Sequence, residues 1–170
     1  MARARTKRRS QGGKILVLDS DREAVPRLIK YFSTRGYDIE NIEEPSRMIE
    51  RVRNNQADGL IIAVEAQGVK GYDLLPIIKR INRQIPIIVT SKDDSLDVAS
   101  RVREHGVLFY AIKPLDLKEI ELVVKNALGR KQQRAEARAA ADQSKASKDY
   151  EEEIIDVDEA SKILKLSKAT

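Results

Sequence analysis

The sequence predicts an α/β fold: a five-stranded parallel doubly wound sheet with helices on both faces, plus a helical C-terminal extension. Two observations predict it. Five short apolar segments alternate along the chain with five segments whose apolar residues have helical spacing. The apolar segments are rich in Ile and Val, as expected for strands that helices cover on both sides, and the short connections favour right-handed crossovers and therefore a parallel sheet.

The elements follow one another without a long interruption. The predicted strands are KILVLD (14–19), YDIENI (37–42), GLIIAV (59–64), IPIIVTS (85–91) and VLFYAI (107–112). The predicted helices are 21–36, 44–55, 72–84, 94–106 and 116–130. In the first helix the apolar residues share one face, and Gly36 follows as a stop signal. These apolar residues are Val25, Leu28, Ile29 and Phe32.

Length and composition favour one compact domain with tails, since the chain has 170 residues and is 41% hydrophobic. It contains no cysteine, which excludes disulfides and thiolate sites. No apolar segment reaches the ~18 residues of a membrane span. The basic N-terminus is not followed by the apolar segment of a secretory signal. We therefore expect a cytoplasmic protein that does not contact a membrane.

We divide the chain into a disordered basic arm (1–13), the α/β domain (14–129), a helical or flexible charged linker (130–153) and a C-terminal segment (154–170). The arm explains the net charge of +5, because residues 1–14 carry six basic side chains and no acid. A basic arm can bind nucleic acid weakly, and a nucleic-acid-binding protein is one alternative function. The arm has no aromatic residue for base stacking, so we interpret it as a solubilising arm. Its basic residues are Arg3, Arg5, Lys7, Arg8 and Arg9, followed by Lys14.

The residues that end the predicted strands are those to examine for chemistry, because ligands of an open parallel sheet bind beyond the carboxyl ends of its strands. No carboxylate ends the third strand, where Ala63 stands. The residues at these ends are Asp19 and Ser20, Ala63, Thr90 and Ser91, and Lys113 with Pro114.

Residues 14–129 resemble the receiver domain of bacterial two-component response regulators. The resemblance is carried by KILVLDSD, DGLIIAVEAQGVKG, PIIVTS and GVLFYAIKP, which occur in order and with matching spacing. It implies a flavodoxin-like fold. In such receivers an acidic pair after the first strand holds Mg²⁺, an aspartate ending the third strand is phosphorylated, and a Thr or Ser and a Lys contact the phosphoryl group.

This sequence departs from the family pattern at two acidic positions. Asp19 matches the first acid, whereas Ser20 replaces the second and Ala63 replaces the phosphorylated aspartate. A methyl group cannot accept a phosphoryl group, and Mg²⁺ is usually held by one or two carboxylates together with phosphate. We therefore expect no phosphorylation at Ala63, no Mg²⁺ or other cofactor, and no enzymatic activity. A receiver that uses a non-standard acceptor remains an alternative.

The other family positions are retained. Thr90 matches the hydroxyl residue, Lys113 with Pro114 matches the Lys-Pro element, and Tyr110 matches the aromatic switch. Lys113 either pairs with Asp19 alone and locks the pocket in one state, or is a surface lysine without a role. We expect Thr90 to bond only a backbone group.

The resemblance also implies a partner surface, formed by the fourth helix, the fifth strand and the fifth helix. Tyr110 either belongs to this surface or packs against the fourth helix. His105, the only histidine, ends that helix, where a cation is favourable, and no second metal ligand accompanies it. The predicted function is thus an atypical receiver that acts in signal transduction through protein contacts, and a homodimer is possible.

The C-terminal segment IIDVDEASKILKLSKAT resembles the start of excisionase-type or MerR-like helix-turn-helix domains. DVDEASKIL would form the first helix, KLSKAT would form the turn, and Ser167 would cap the recognition helix. The sequence ends where that helix would begin. DNA binding by this segment therefore requires a longer chain that completes the motif. A coincidental amphipathic helix is the alternative interpretation.

Overall fold

The structure, a computed structural model, describes the backbone of residues 12–66 and 68–167 and the side chains of this part of the chain up to residue 143. It divides into two units, one ending at Leu128 and the other beginning at Gly129. The strands are β1 (Lys14–Leu18), β2 (Asp38–Asn41), β3 (Gly59–Ala63), β4 (Glu65–Ala66), β5 (Val69–Lys70), β6 (Ile87–Ser91) and β7 (Phe109–Ile112). The helices are α1 (Ala24–Ser33), α2 (Pro45–Arg53), α3 (Gly71–Ile81), α4 (Leu96–Glu104) and α5 (Leu117–Ser167).

Five of these strands form the predicted parallel sheet, in the order β2-β1-β3-β6-β7. Successive side chains of a strand point to opposite faces, so each strand contributes to two apolar layers. In β1, Leu16 and Leu18 pack with α2, α3 and α4, whereas Ile15 and Val17 pack with α1 and α5. This confirms the predicted doubly wound α/β fold. Because the strands are parallel, the carboxyl ends of β1, β3, β6 and β7 meet at one edge of the sheet.

The connection between β3 and α3 contains a short hairpin that the sequence analysis missed. Strands β4 and β5 pair antiparallel, and Lys70 Nζ lies 2.9 Å from Glu65 Oε1 across the hairpin. A Cβ added at Gly71 would overlap the carbonyl oxygen of Ala63, so only glycine lets the chain return this closely to the end of β3. The amide of Gly71 also donates to Val64 O at 2.6 Å. Helix α3 therefore begins directly after the hairpin.

The C-terminal half of α5 is helical through the segment expected to be a helical or flexible linker, and it differs from the expectation only where a turn was expected. The backbone is one helix from Leu117 to Ser167, so the helix continues through the expected turn after Leu164. Residues 130–167 contain neither Gly nor Pro and are rich in Ala, Glu, Lys and Gln, which favour helix. Residues 168–170 lie outside the described part of the chain, as does the basic arm with Arg3, Arg5, Lys7, Arg8 and Arg9. Within the described residues, no helix has the length and apolar character needed to cross a membrane.

Candidate functional site

The carboxyl edge of the sheet forms a cleft of about 590 Å³. The ends of β1, β3, β6 and β7 bring Asp19, Ala63, Thr90 and Lys113 together there, as the order of strands predicts. The cleft is also lined by residues of the connecting loops. These include Ser20, Asp21, Glu65, Lys70, Tyr72, Ser91, Lys92, Asp93 and Asp94.

Lys113 forms an ion pair with Asp19 at the base of the cleft. Its Nζ lies 2.7 Å from Asp19 Oδ2, and the two side chains are only 10% and 1% exposed. This geometry agrees with the predicted pair and contradicts the alternative of a surface lysine. The expectation that Asp19 would be the only partner was wrong, however, because Lys113 Nζ also lies 3.1 Å from Asp21 Oδ2.

Asp21 connects the cleft to the start of α1. Its Oδ1 accepts hydrogen bonds from the amides of Glu23 and Ala24, each at 3.0 Å, and its Oδ2 contacts Lys113 and, at 3.2 Å, Lys92. These contacts hold the pKa of the Asp21 carboxyl well below its ordinary value; the Ala24 amide is the largest cause, followed by Lys113. The spacing of Asp19 and Asp21 could have indicated that Asp21 is held at the cleft, since an aspartate often accepts bonds from amides two or three residues later, as Asp19 does from the Asp21 amide.

Ala63, the position expected from the resemblance to match the phosphorylated aspartate, places a methyl group at the end of β3. The residue is 3% exposed, and β6 fixes the backbone beside it because Val64 N donates to Thr90 O at 2.8 Å. Ser20, expected from the resemblance to occupy the position of the second acid, is exposed. Neither residue contributes a carboxylate to the cleft.

Thr90 lies beside Ala63 in the sheet and is fully buried. Its Oγ1 has no hydrogen-bond partner among the described residues, which corrects the expectation that it would bond a backbone group. The backbone amides and carbonyls near it are already used in the ladder between β3 and β6 and in the bond from Lys113 N to Ser91 O.

Asp19 and Asp21, the two carboxylates at the base of the cleft, do not fit a divalent cation as they are paired here. Asp19 accepts the Asp21 amide through Oδ1 at 2.9 Å and Lys113 through Oδ2 at 2.7 Å. The oxygens of Asp21 are likewise engaged, by two amides and by the ammonium groups of Lys113 and Lys92. Lys113 and Lys92 thus balance the charges of Asp19 and Asp21, and a Mg²⁺ ion would have to displace these lysines. Among the described residues, no group of three or more His, Cys, Asp or Glu side chains is placed to hold a metal.

The expected switch and partner residues lie beside the cleft. Tyr110 is partly buried, packs against the α4 side of the sheet and donates its hydroxyl to Asp93 O at 2.8 Å. Pro114 is exposed and lines a second, smaller groove with Arg27. His105 follows the last residue of α4, as predicted.

The family follows from a comparison with known domains. Residues 15–125 match the model of the response regulator receiver domain. The chain belongs to this family. Among curated relatives, the receiver resembles the DNA-binding transcriptional regulator NtrC of Azospirillum brasilense, at 35% identity over 67% of this chain and 24% of the relative. It also resembles the transcriptional regulatory protein ZraR of Klebsiella oxytoca, at 29% identity over 67% of this chain and 26% of the relative.

Solved structures show the same receiver fold. The signal receiver domain of a LuxO repressor protein from Vibrio parahaemolyticus superposes with a TM-score of 0.67 at 18% identity, covering 74% of this chain and 96% of that one. A Francisella receiver domain gives a TM-score of 0.64 at 24% identity, over 70% and 98% of the two chains. The chain spans about a quarter of the length of the curated relatives it matches.

Proposed function

We propose that this receiver transmits a signal through protein contacts and is not phosphorylated on an aspartate at the end of β3. One observation carries the proposal: the buried residue at that position is Ala63, whose methyl group has no atom that can attack phosphorus. The proposal also includes the absence of Mg²⁺ and of enzymatic activity. The lysines that neutralise Asp19 and Asp21 support it, because they already provide the positive charge that a metal would supply.

Protein partners are proposed to bind the surface formed by α4, β7 and the first turns of α5. Helix α4 begins with Leu96, which is 84% exposed, and Ile112 on β7 is 40% exposed. Strand β7 is also an edge of the sheet, so no further strand of the described residues covers this side. Exposed apolar side chains next to Tyr110 are a feature of interaction surfaces. A second copy of the chain is one candidate partner.

The named relatives are transcriptional regulators, and we propose transcriptional regulation in the cytoplasm as the context of this receiver. Whether residues 154–170 begin a helix-turn-helix remains a prediction. The described backbone gives it no turn up to Ser167, so DNA binding by this segment requires a longer chain.

The direct test is to incubate the whole chain with acetyl phosphate and Mg²⁺ and to measure its intact mass. We expect no gain of a phosphoryl group. The matched control is the double variant Ser20→Asp/Ala63→Asp, which places the two missing carboxylates beside Asp19 and Lys113 and should gain the group under the same conditions. Circular dichroism verifies that the variant is folded.

A phosphoryl group on the unaltered chain would refute the proposal, and peptide mapping would then identify the acceptor. Glu65, Asp93 and Asp94 are the other carboxylates that line the cleft and are therefore the residues to inspect. Beryllofluoride with Mg²⁺ provides a second test, since the amide spectrum around Asp19 and Thr90 should stay unchanged. Saturable shifts there would contradict the proposal without requiring a stable phosphoprotein.

A further inference from the structure

The loop between β6 and α4, residues 92–95, connects the cleft to the proposed partner surface. On the cleft side, Lys92 Nζ lies 3.2 Å from Asp21 Oδ2. On the other side, the carbonyl of Asp93 accepts the hydroxyl of Tyr110 at 2.8 Å. Asp93 also orders the loop before α4, because its Oδ1 accepts the amide of Ser95, the residue that precedes the helix, at 2.8 Å. Lys92 is thus next in sequence to the residue that contacts both Tyr110 and Ser95.

The Thr90 side chain has no comparable contact with the β6–α4 loop among the described residues. It is fully buried, but its hydroxyl contacts no hydrogen-bonding group among the described residues. Removing that hydroxyl would therefore break no bond to the loop. Lys92, in contrast, joins a chain of charges in which Asp21 is shared with Lys113, and Lys113 is held by Asp19.

We propose that Lys92, rather than Thr90, is the positioning residue through which the cleft of this chain biases the β6–α4 loop and Tyr110. This inference rests on the proposed function, because a phosphoryl group held in the cleft would give Thr90 a partner of its own. The Lys92 side chain is 76% exposed, so salt screens its attraction to Asp21. The contact accordingly shifts the population of loop conformations by a small factor and does not lock the loop in one conformation.

The test compares amide hydrogen exchange in variants of the whole chain at low ionic strength. The reporting amides are those of Asp93, Ser95 and Ala99, which donate to Ser91 Oγ, Asp93 Oδ1 and Ser95 O. Replacing Lys92 with Gln should speed their exchange by about two- to fivefold, the range expected for loss of one exposed ion pair. The Tyr110 ring signals should shift as well. Lys92→Arg, which keeps the cation, should restore the original exchange and signals.

Two further variants separate this role from a general loss of stability. Thr90→Val removes the buried hydroxyl at nearly constant volume and should leave the reporting amides unchanged. Lys70→Gln breaks a different lysine–carboxylate pair in the same cleft, with Glu65 at 2.9 Å, and should also leave them unchanged. Exchange in the core strand amides of Ile62 and Val89 corrects for changes in global stability. Raising the salt to about 0.5 M should bring the unaltered chain towards Lys92→Gln and leave that variant unaffected.

The inference is overturned if Lys92→Gln leaves the three amides unchanged after this correction. It is equally overturned if Thr90→Val or Lys70→Gln accelerates them as much. The exchange experiment uses no phosphodonor, so a negative result there is distinct from a failure of the proposed function. Phosphorylation of the unaltered chain would refute the proposed function, and the exchange results would still decide the role of Lys92.

Discussion

Replacing Lys113 with Met should destabilise this receiver strongly, because the substitution leaves a buried carboxylate without its cation. The Asp19 side chain is 1% exposed and would keep only the Asp21 amide, 2.9 Å from Oδ1, as a partner. Removing one member of a buried ion pair costs about 3–5 kcal/mol. Because Lys113 is 10% exposed and Asp19 retains one hydrogen bond, we expect the lower end, about 3 kcal/mol. Methionine keeps most of the apolar stem of the lysine, so little of the expected destabilisation comes from lost packing.

Urea unfolding of the whole chain, followed by circular dichroism at neutral pH, measures this free energy. Lys92→Met is the matched control, since it removes a lysine that contacts the same cluster but is 76% exposed; it should cost no more than about 1 kcal/mol. The double variant Asp19→Asn/Lys113→Met removes both charges and should lose clearly less than the sum of the single variants. A cost below about 1 kcal/mol for Lys113→Met, or strict additivity in this cycle, would refute the reasoning, since either result means that the pair contributes little.

Three other predictions test separate parts of the molecule. The pKa of Asp21 is lowered, mainly by the Ala24 amide. The ionised carboxylate therefore contributes fully to stability above the ordinary pKa of 3.8, and this contribution is lost as the pH falls towards the lowered pKa. Asp21→Asn should flatten the fall in unfolding free energy below about pH 4. Gly71→Ala should cost about 2 kcal/mol or more in urea unfolding, because its Cβ would overlap a backbone carbonyl at the end of β3. Any DNA affinity of this chain should be weak and salt-dependent and should disappear when residues 1–11 are deleted, which a fluorescence-anisotropy titration can measure.

The five-stranded sheet could be predicted because each strand is a continuous apolar segment next to a helix with clear spacing. Ile61 and Ile62 lie on opposite faces and are both fully buried, so no polar residue interrupts the pattern. The hairpin of β4 and β5 could not be predicted, because its strands have two residues each and Glu65, Val69 and Lys70 are exposed. Its formation depends on a tertiary contact, the return of Gly71 to the end of β3, which has no periodic signal.

The candidate site was predictable where strands fix the residues and unpredictable where loops do. Asp19, Ala63, Thr90 and Lys113 lie in the last two residues of a strand or directly after it, so the order of the sheet places them together. The partners supplied by loops were missed, since the rotamer of a loop lysine is not encoded by periodicity. Lys92 is the example: its sequence neighbours give no sign that its ammonium group reaches Asp21.

The charges of the cleft link the proposed lack of phosphorylation to the lysine contacts of Asp19 and Asp21. A receiver cleft with three carboxylates and one lysine carries excess negative charge, which a divalent cation can offset. Here Ala63 and Ser20 carry no charge, and Asp21 places a carboxylate where Lys113 and Lys92 both reach it. Asp19 and Asp21 together are thus balanced by the ammonium groups of Lys113 and Lys92 without a metal. Restoring aspartate at residue 63 alone would break that balance, and for this reason the control for phosphorylation restores residue 20 together with it and supplies Mg²⁺.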